Sequence, residues 1–300
     1  MTTRVGSVVL PNPVLTASGT SGHGAELGAY LDLSLLGAVV VKSMSAEPWP
    51  GNPAPRVHET SAGMLNAVGL QGPGVPMWRR HGLPELVATG ARVVASIWGR
   101  SVADYALAAS LLADAPSEVV AVEVNLSCPN VEARADMFAH SEMATERVMA
   151  ATAGCARPRW AKLSPNVTDI VAIAAAARRG GAEAVTLVNT VMGMAIDVET
   201  RRSRLAHGGG GLSGRAIHPV AVRAVHEVHQ RMPDLPIVGV GGVATAVDAL
   251  ELLLAGASAV QVGTATFADP RAPGRVATGL QHWCARHRVR AIDELIGGST

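Results

Sequence analysis

The run Asn125-Leu126-Ser127-Cys128-Pro129-Asn130 sets one cysteine between two asparagines directly after the apolar stretch 121–124. A thiolate can serve as base or nucleophile, and asparagine amides both donate and accept hydrogen bonds. The end of a buried strand is where parallel α/β folds do chemistry. Two lysines have similar settings, Lys42 after the run 38–41 and Lys162 within 160–163. A lysine there can snorkel to solvent, hold an anionic ligand or form a Schiff base. Cys155 lies in an Ala-rich stretch and Cys284 in the C-terminal helical segment, so both read as small buried hydrophobes.

Elements that could position these residues alternate along the chain. Short β-branched or Ala-rich runs at 14–17, 38–41, 92–96, 121–124, 160–163, 184–188, 237–240 and 259–262 are separated by segments of helical period. Eight such runs predict an α/β fold, a single (β/α)8 TIM barrel over residues 1–300, with an open doubly wound sheet as the competing architecture. The barrel is favoured because every run ends on small or polar residues. These are Ser18, Lys42-Ser43, Ser96, Asn125 to Cys128, Lys162, Asn189-Thr190, Gly241-Gly242 and Gly263-Thr264, which a barrel gathers at one C-terminal mouth. Gly241-Gly242 and Gly263-Thr264, after the seventh and eighth strands, suit a phosphate, held by backbone N–H groups and a short helix N-terminus.

The helical segments carry their own punctuation. Thr245 with Asp248 is a capping box and Gly256 a stop; residues 167–179 end at Gly180-Gly181; and 216–232 puts Ile217, Val220, Val225 and Val228 on one face. Gly208 to Gly211, after His207, reads as a mobile connection.

Composition narrows the classes. A net charge of +1, with Lys and Arg spread thinly, offers no basic stripe for nucleic acid or an anionic membrane. No apolar stretch is long enough to span a bilayer, and the N-terminus lacks targeting character, so a cytoplasmic location is expected. Three scattered cysteines cannot build a disulfide framework, a metal site or an iron–sulfur cluster. Any redox centre is therefore a bound organic cofactor.

Across nearly its whole length the chain resembles the class 1 dihydroorotate dehydrogenases. The matching segments are Asn12-Pro13-Val14, Ala17 to Thr20, Val41-Lys42, Asn52-Pro53 through Pro55-Arg56, Asn66 to Gln71 with Pro73-Gly74, Asn125 to Asn130, Lys162, Asn189-Thr190, Gly210 to Gly214, Gly241-Gly242 and Gly263-Thr264. Gly193 to Asp197 and Leu254 to Gln261 are most similar to the 1B branch.

The resemblance implies FMN as cofactor and oxidation of dihydroorotate to orotate in pyrimidine biosynthesis. The residue matching Cys128 removes the C5 proton while hydride leaves C6 for flavin N5. An unperturbed thiol pKa of about 8.5 then implies a rate that rises toward alkaline pH. Lys162 matches the residue beside flavin N1 and the C2 carbonyl, where a fixed ammonium stabilises the anionic reduced ring. Lys42, Asn66, Gly69, Leu70, Asn125, Asn130, Asn189 and Thr190 match substrate-binding positions. Ser18, Lys42, Ser43, Ser96, Asn125, Lys162, Val188, Gly214, Gly241, Gly242, Gly263 and Thr264 match cofactor contacts. The long segment 43–90 is expected to form one wall of the substrate site. The resemblance excludes class 2, which has serine at the base position and an N-terminal extension to the quinone pool.

Three features depart from the family pattern: Ser96 in place of a flavin-contacting asparagine, Gly72 in place of an asparagine, and Trp98-Gly99-Arg100 after the third strand. The loop 131–140 also lacks the short glycine-rich character of the 1B lid. The resemblance implies a homodimer. It further implies either a separate FAD and iron–sulfur subunit that passes electrons to NAD or, as in branch 1A, direct use of fumarate. Two other readings stay open: an FMN enzyme acting on another dihydropyrimidine or a specialised metabolite, and a non-redox phosphate-binding lyase or isomerase using Lys162.

Overall fold

The computed structural model describes residues 1–127 and 137–299; Cys128 and Asn130 lie outside them. The eight apolar runs form barrel strands β1 (Val14–Thr16), β2 (Val39–Val40), β3 (Val93–Ile97), β4 (Val119–Asn125), β5 (Arg159–Lys162), β6 (Ala184–Leu187), β7 (Ile237–Val240) and β8 (Ala259–Val262). All neighbours are parallel and sequential, β8 pairs back onto β1, and a Leu15–Ala38 bridge joins β1 to β2. Thr16 tightens that seam, its Oγ1 accepting from Val40 N–H at 2.9 Å. β7 and β8 have the expected bounds, whereas β4 runs on through Asn125, which pairs in register with Lys162.

Strand alternation divides the barrel into layers. Leu15, Val40, Val94, Ala121, Trp160, Ala184, Val238 and Ala259 form one inner apolar cluster with Val5, Val8 and Leu10 of the N-terminal hairpin Thr3–Val5/Val8–Leu10. Two residues further along the strands, the same face carries Lys42, Ser96, Glu123, Lys162, Thr186 and Gln261. The intervening residues, among them Val39, Val93, Val122, Val185 and Val260, belong to the outer core shared with the helices.

Helix Ala246–Ala255 has the predicted Thr245/Asp248 capping box, and Gly256 stops it at φ 122°. Helix Ile170–Arg179 starts three residues later than the expected 167, because the Asp169 carboxylate caps the N–H groups of Val171 and Ala172 at 3.0 Å each. Helix His218–Arg231 buries Ala221, Ala224, Val225 and Val228, but Val220 is 40% exposed. Ile217 sits in a preceding 3-10 turn, so the α-helical phase begins at His218 and Val220 falls off the buried stripe.

Two excursions cover the C-terminal mouth. Val57–Thr60 and Gly63–Asn66, between β2 and β3, join Val191–Gly193 and Gly210–Ser213, between β6 and β7, in a four-stranded antiparallel sheet. Gly210 and Gly211 are therefore ladder residues, in contrast to the expected mobile connection. A Cβ at Gly210 would stand 2.6 Å from the Asn66 carbonyl oxygen, and one at Gly211 would collide with Thr190 Oγ1. The glycines serve close strand packing. Among the described residues no helix is long and apolar enough to cross a membrane.

Candidate active site

The mouth encloses a cavity of about 330 Å³ lined from seven of the eight strand ends. Its walls include Ser18, Lys42, Ser43, Asn66, Gly69, Leu70, Asn125, Lys162, Val188, Asn189, Thr190, Gly214, Gly241, Gly242, Gly263 and Thr264. All the predicted site residues within the described chain meet there except Ser96. That residue is wholly buried behind the wall, where its hydroxyl lies 2.9 Å from Ser43 Oγ and 3.5 Å from Glu123 Oε1. Ser96 therefore stands one layer behind the cavity lining, with its hydroxyl against that of Ser43.

The amides are held in a network. Asn125 Nδ2 donates to Ser43 Oγ at 3.2 Å, and its Oδ1 accepts from Asn189 Nδ2 at 3.1 Å and from Ser127 N–H at 3.2 Å. Asn189 Oδ1 accepts from Thr190 N–H at 2.8 Å, and Asn66 Nδ2 donates to the Gly211 carbonyl at 3.3 Å. These bonds fix which end of each amide faces which neighbour, as recognition of a ring with alternating N–H and C=O groups requires.

Both lysines are constrained. Lys162, 5% exposed, donates to Ser18 Oγ at 3.3 Å and Gln261 Oε1 at 3.4 Å and lies 3.6 Å from the Glu123 carboxylate. Burial, and then the Arg56 guanidinium, push the Lys42 ammonium below the usual lysine range. Two lysines lining one cavity favour an anionic ligand.

Segment 43–90 supplies the facing wall, as expected, with Asn66, Gly69 and Leu70 lining it. Gly69 and Leu70 take φ of 74° and 61°, and a Cβ at Gly69 would meet Asn52 at 2.6 Å. Trp49 holds this turn, its Nε1 donating to the Gly69 carbonyl at 2.9 Å. Trp98 packs edge-on to Trp49 at 6.0 Å and Arg100 lies over the Trp49 ring at 4.6 Å. Trp98-Gly99-Arg100 thus buttresses the Gly69-Leu70 turn through Trp49. Gly72 belongs to the same unit through its backbone pairing with Trp49.

Gly214, Gly241 and Gly242 all have positive φ (96°, 139° and 72°). The N–H groups of Gly242, Gly263 and Thr264 donate to no backbone carbonyl among the described residues. A Cβ at Gly242 would lie 2.6 Å from the His218 Cβ. Bare, unused amide donors after β7 and β8 fit a phosphate ester.

A family model described as "Dihydroorotate dehydrogenase" matches residues 1–283. The chain belongs to the dihydroorotate dehydrogenase family. It is 47% identical over 298 residues to a protein named dihydroorotate dehydrogenase B (NAD(+)), catalytic subunit, from Alkaliphilus metalliredigens, covering 99% of this chain and 98% of that one. To the protein of the same name from Desulforudis audaxviator it is 49% identical over 296 residues, covering 98% of this chain and 96% of that one. The resemblance to the 1B branch agrees with both names.

Glu123, Thr186 and Gln261 carry no strand-end signal in the sequence, although they adjoin Lys162. Glu123 Oε2 accepts from Gln261 Nε2 at 2.7 Å and Thr186 Oγ1 at 3.2 Å. The available signal was position: each stands two residues from a strand-end site residue (Asn125, Val188, Gly263) on the same strand face. Cys155 and Cys284 are buried, and burial raises both thiols, as suits inert core positions.

Proposed function

We propose that this chain is an FMN-dependent catalytic subunit that oxidises dihydroorotate to orotate in pyrimidine biosynthesis, working as one barrel unit over residues 1–300. The observation that carries the reading is the meeting of Lys42, Lys162 and the bonded amides of Asn66, Asn125 and Asn189 in one cavity beside unused backbone donors. The family match and the names of the relatives support it.

The glycine wall and Thr264 suit the FMN phosphate, with Ser18, Lys42, Ser43, Asn125, Val188 and Lys162 around the ring system. FMN, when bound, supplies the acceptor for the substrate hydride. Lys162 contributes a fixed positive charge where reduction collects negative charge. Lys42 pairs with the substrate carboxylate. Asn66, Asn125, Asn130 and Asn189, with Thr190, Gly69 and Leu70, bind the amide edges and orient the ring. Cys128 takes the C5 proton, so the reductive rate rises as its thiolate forms with increasing pH.

Electrons leave through a partner. The relatives are named NAD(+)-linked catalytic subunits, and this chain has three cysteines in all, two of them buried in the core. We therefore read it as half of a pair with a subunit carrying FAD and an iron–sulfur cluster, the barrel itself dimerising, in the cytoplasm. Purified alone, the chain should reduce dyes with dihydroorotate and fail to reduce NAD. Rapid reduction of NAD without a partner, or of fumarate, would reject the paired arrangement.

The reading is tested with the FMN-loaded protein. Orotate should perturb the flavin spectrum, and Cys128→Ala should keep colour and orotate binding while reduction by dihydroorotate slows about 10²–10⁴-fold. A variant as fast as the parent would remove the proposed base.

A further inference from the structure

Glu123 is the one acidic side chain in the polar inner layer of the barrel among the described residues, and its exposure is 0%. It is held from three sides. Gln261 Nε2 donates to Oε2 at 2.7 Å and Thr186 Oγ1 at 3.2 Å, while Ser96 Oγ reaches Oε1 at 3.5 Å. Lys162 Nζ stands 3.6 Å from the same Oε1 and also contacts Gln261 Oε1 at 3.4 Å, so Gln261 bridges the two charged groups. Donors on every described side suit a carboxylate, which can only accept.

A stability role explains this poorly. Desolvating two ions commonly costs as much as their attraction returns, and a well-packed apolar pair is often equally stable. The layer below shows that these strands accept Ala121, Trp160 and Ala184 on the same face. Lys162 lines the cavity and Glu123 does not. The carboxylate thus reaches a ligand indirectly, through the lysine it faces and, at one further remove, through Ser96 and Ser43.

We infer that Glu123 is a positioning residue for Lys162: its anchored carboxylate fixes the ammonium at the cavity floor and offsets its charge, thereby setting how strongly that lysine favours a reduced flavin. The inference rests on the FMN reading above. It predicts a sign that a packing role would not. Releasing Lys162 from its counter-charge should make the site more favourable to added negative charge, whereas removing Lys162 should make it less so.

The test is the two-electron midpoint potential of bound FMN, measured by dye equilibration in the parent, Glu123→Gln, Lys162→Met and the double variant. Glu123→Gln should raise the ratio of reduced to oxidised flavin at fixed potential about tenfold, equal to about 30 mV. Lys162→Met should lower that ratio by a similar factor. In the Lys162→Met background the glutamine substitution should change it less than twofold.

An unchanged or lowered ratio in Glu123→Gln, or the same rise in both backgrounds, would overturn the inference. Glu123→Asp, which draws the carboxylate back from Lys162, should give a smaller rise and serves if the glutamine variant does not fold. Failure of both to fold would assign the carboxylate to barrel stability and also overturn the inference. A parent that takes up no FMN would fail the functional reading itself, whereas a response of the potential to Lys162→Met alone would fail only this inference.

Discussion

Replacing Lys42 with methionine should move stability and ligand affinity in opposite directions. Burial and the neighbouring Arg56 both disfavour the Lys42 ammonium, and Arg56 cannot turn away because it donates to the Asn52 carbonyl at 3.3 Å and to Gln71 Oε1. Methionine fills a similar volume without the charge, so the apoprotein should gain about 0.5–2 kcal/mol in urea unfolding. Orotate loses a charge-assisted hydrogen bond worth roughly 1.5–3 kcal/mol, a ten- to hundredfold weaker affinity by flavin titration. The pH dependence follows in sign. Between the lowered folded pKa and the ordinary lysine value the folded state binds fewer protons than the unfolded one, so parental stability climbs with pH across that window. Orotate affinity falls over the same window as the ammonium is lost. The methionine variant should lack both slopes. A variant that binds orotate as tightly as the parent, or that loses stability, would refute the assignment of Lys42 as a strained cation reserved for the substrate carboxylate.

Further outcomes are expected. Arg56→Met removes the second cause of the Lys42 shift, so the alkaline loss of orotate affinity should move to higher pH, read by the same titration at several pH values. Gly211→Ala forces a methyl into Thr190 and should cost about 1–3 kcal/mol in urea unfolding and weaken orotate binding together. Thr245→Ala removes the side-chain acceptor for Asp248 N–H and the hydroxyl donor to its carboxylate at 2.9 Å, and should cost about 1 kcal/mol in thermal unfolding with flavin affinity little changed.

The barrel was legible because its strands are buried on both faces, so each reads as a compact apolar run, and seven of the eight end on residues that line the mouth. Thr245 with Asp248, and Gly256 after Ala255, were legible because capping chemistry is local. Asp169 was overlooked as a cap because helical period alone cannot tell the last loop residues from the first turn. Gly210 and Gly211 were misread because a glycine demanded by close strand packing has the same sequence as one in a loose connection; only the collision with Asn66 and Thr190 separates them. Ser96 stands at a strand end as the other site residues do, yet its hydroxyl lies against Ser43 rather than on the cavity lining, a distinction that strand position alone does not carry. Glu123 went unnoticed because a carboxylate inside a strand looks outward-facing until alternation is counted back from Asn125.

The proposed chemistry needs a flavin and a dihydropyrimidine to meet at the mouth that Lys42 and Lys162 line. Anaerobic mixing of the FMN-loaded chain with dihydroorotate is the decisive experiment. Rapid bleaching of the visible flavin absorbance, with orotate formed in equal amount, is the predicted result. A flavin that stays oxidised in the presence of excess dihydroorotate would contradict the account.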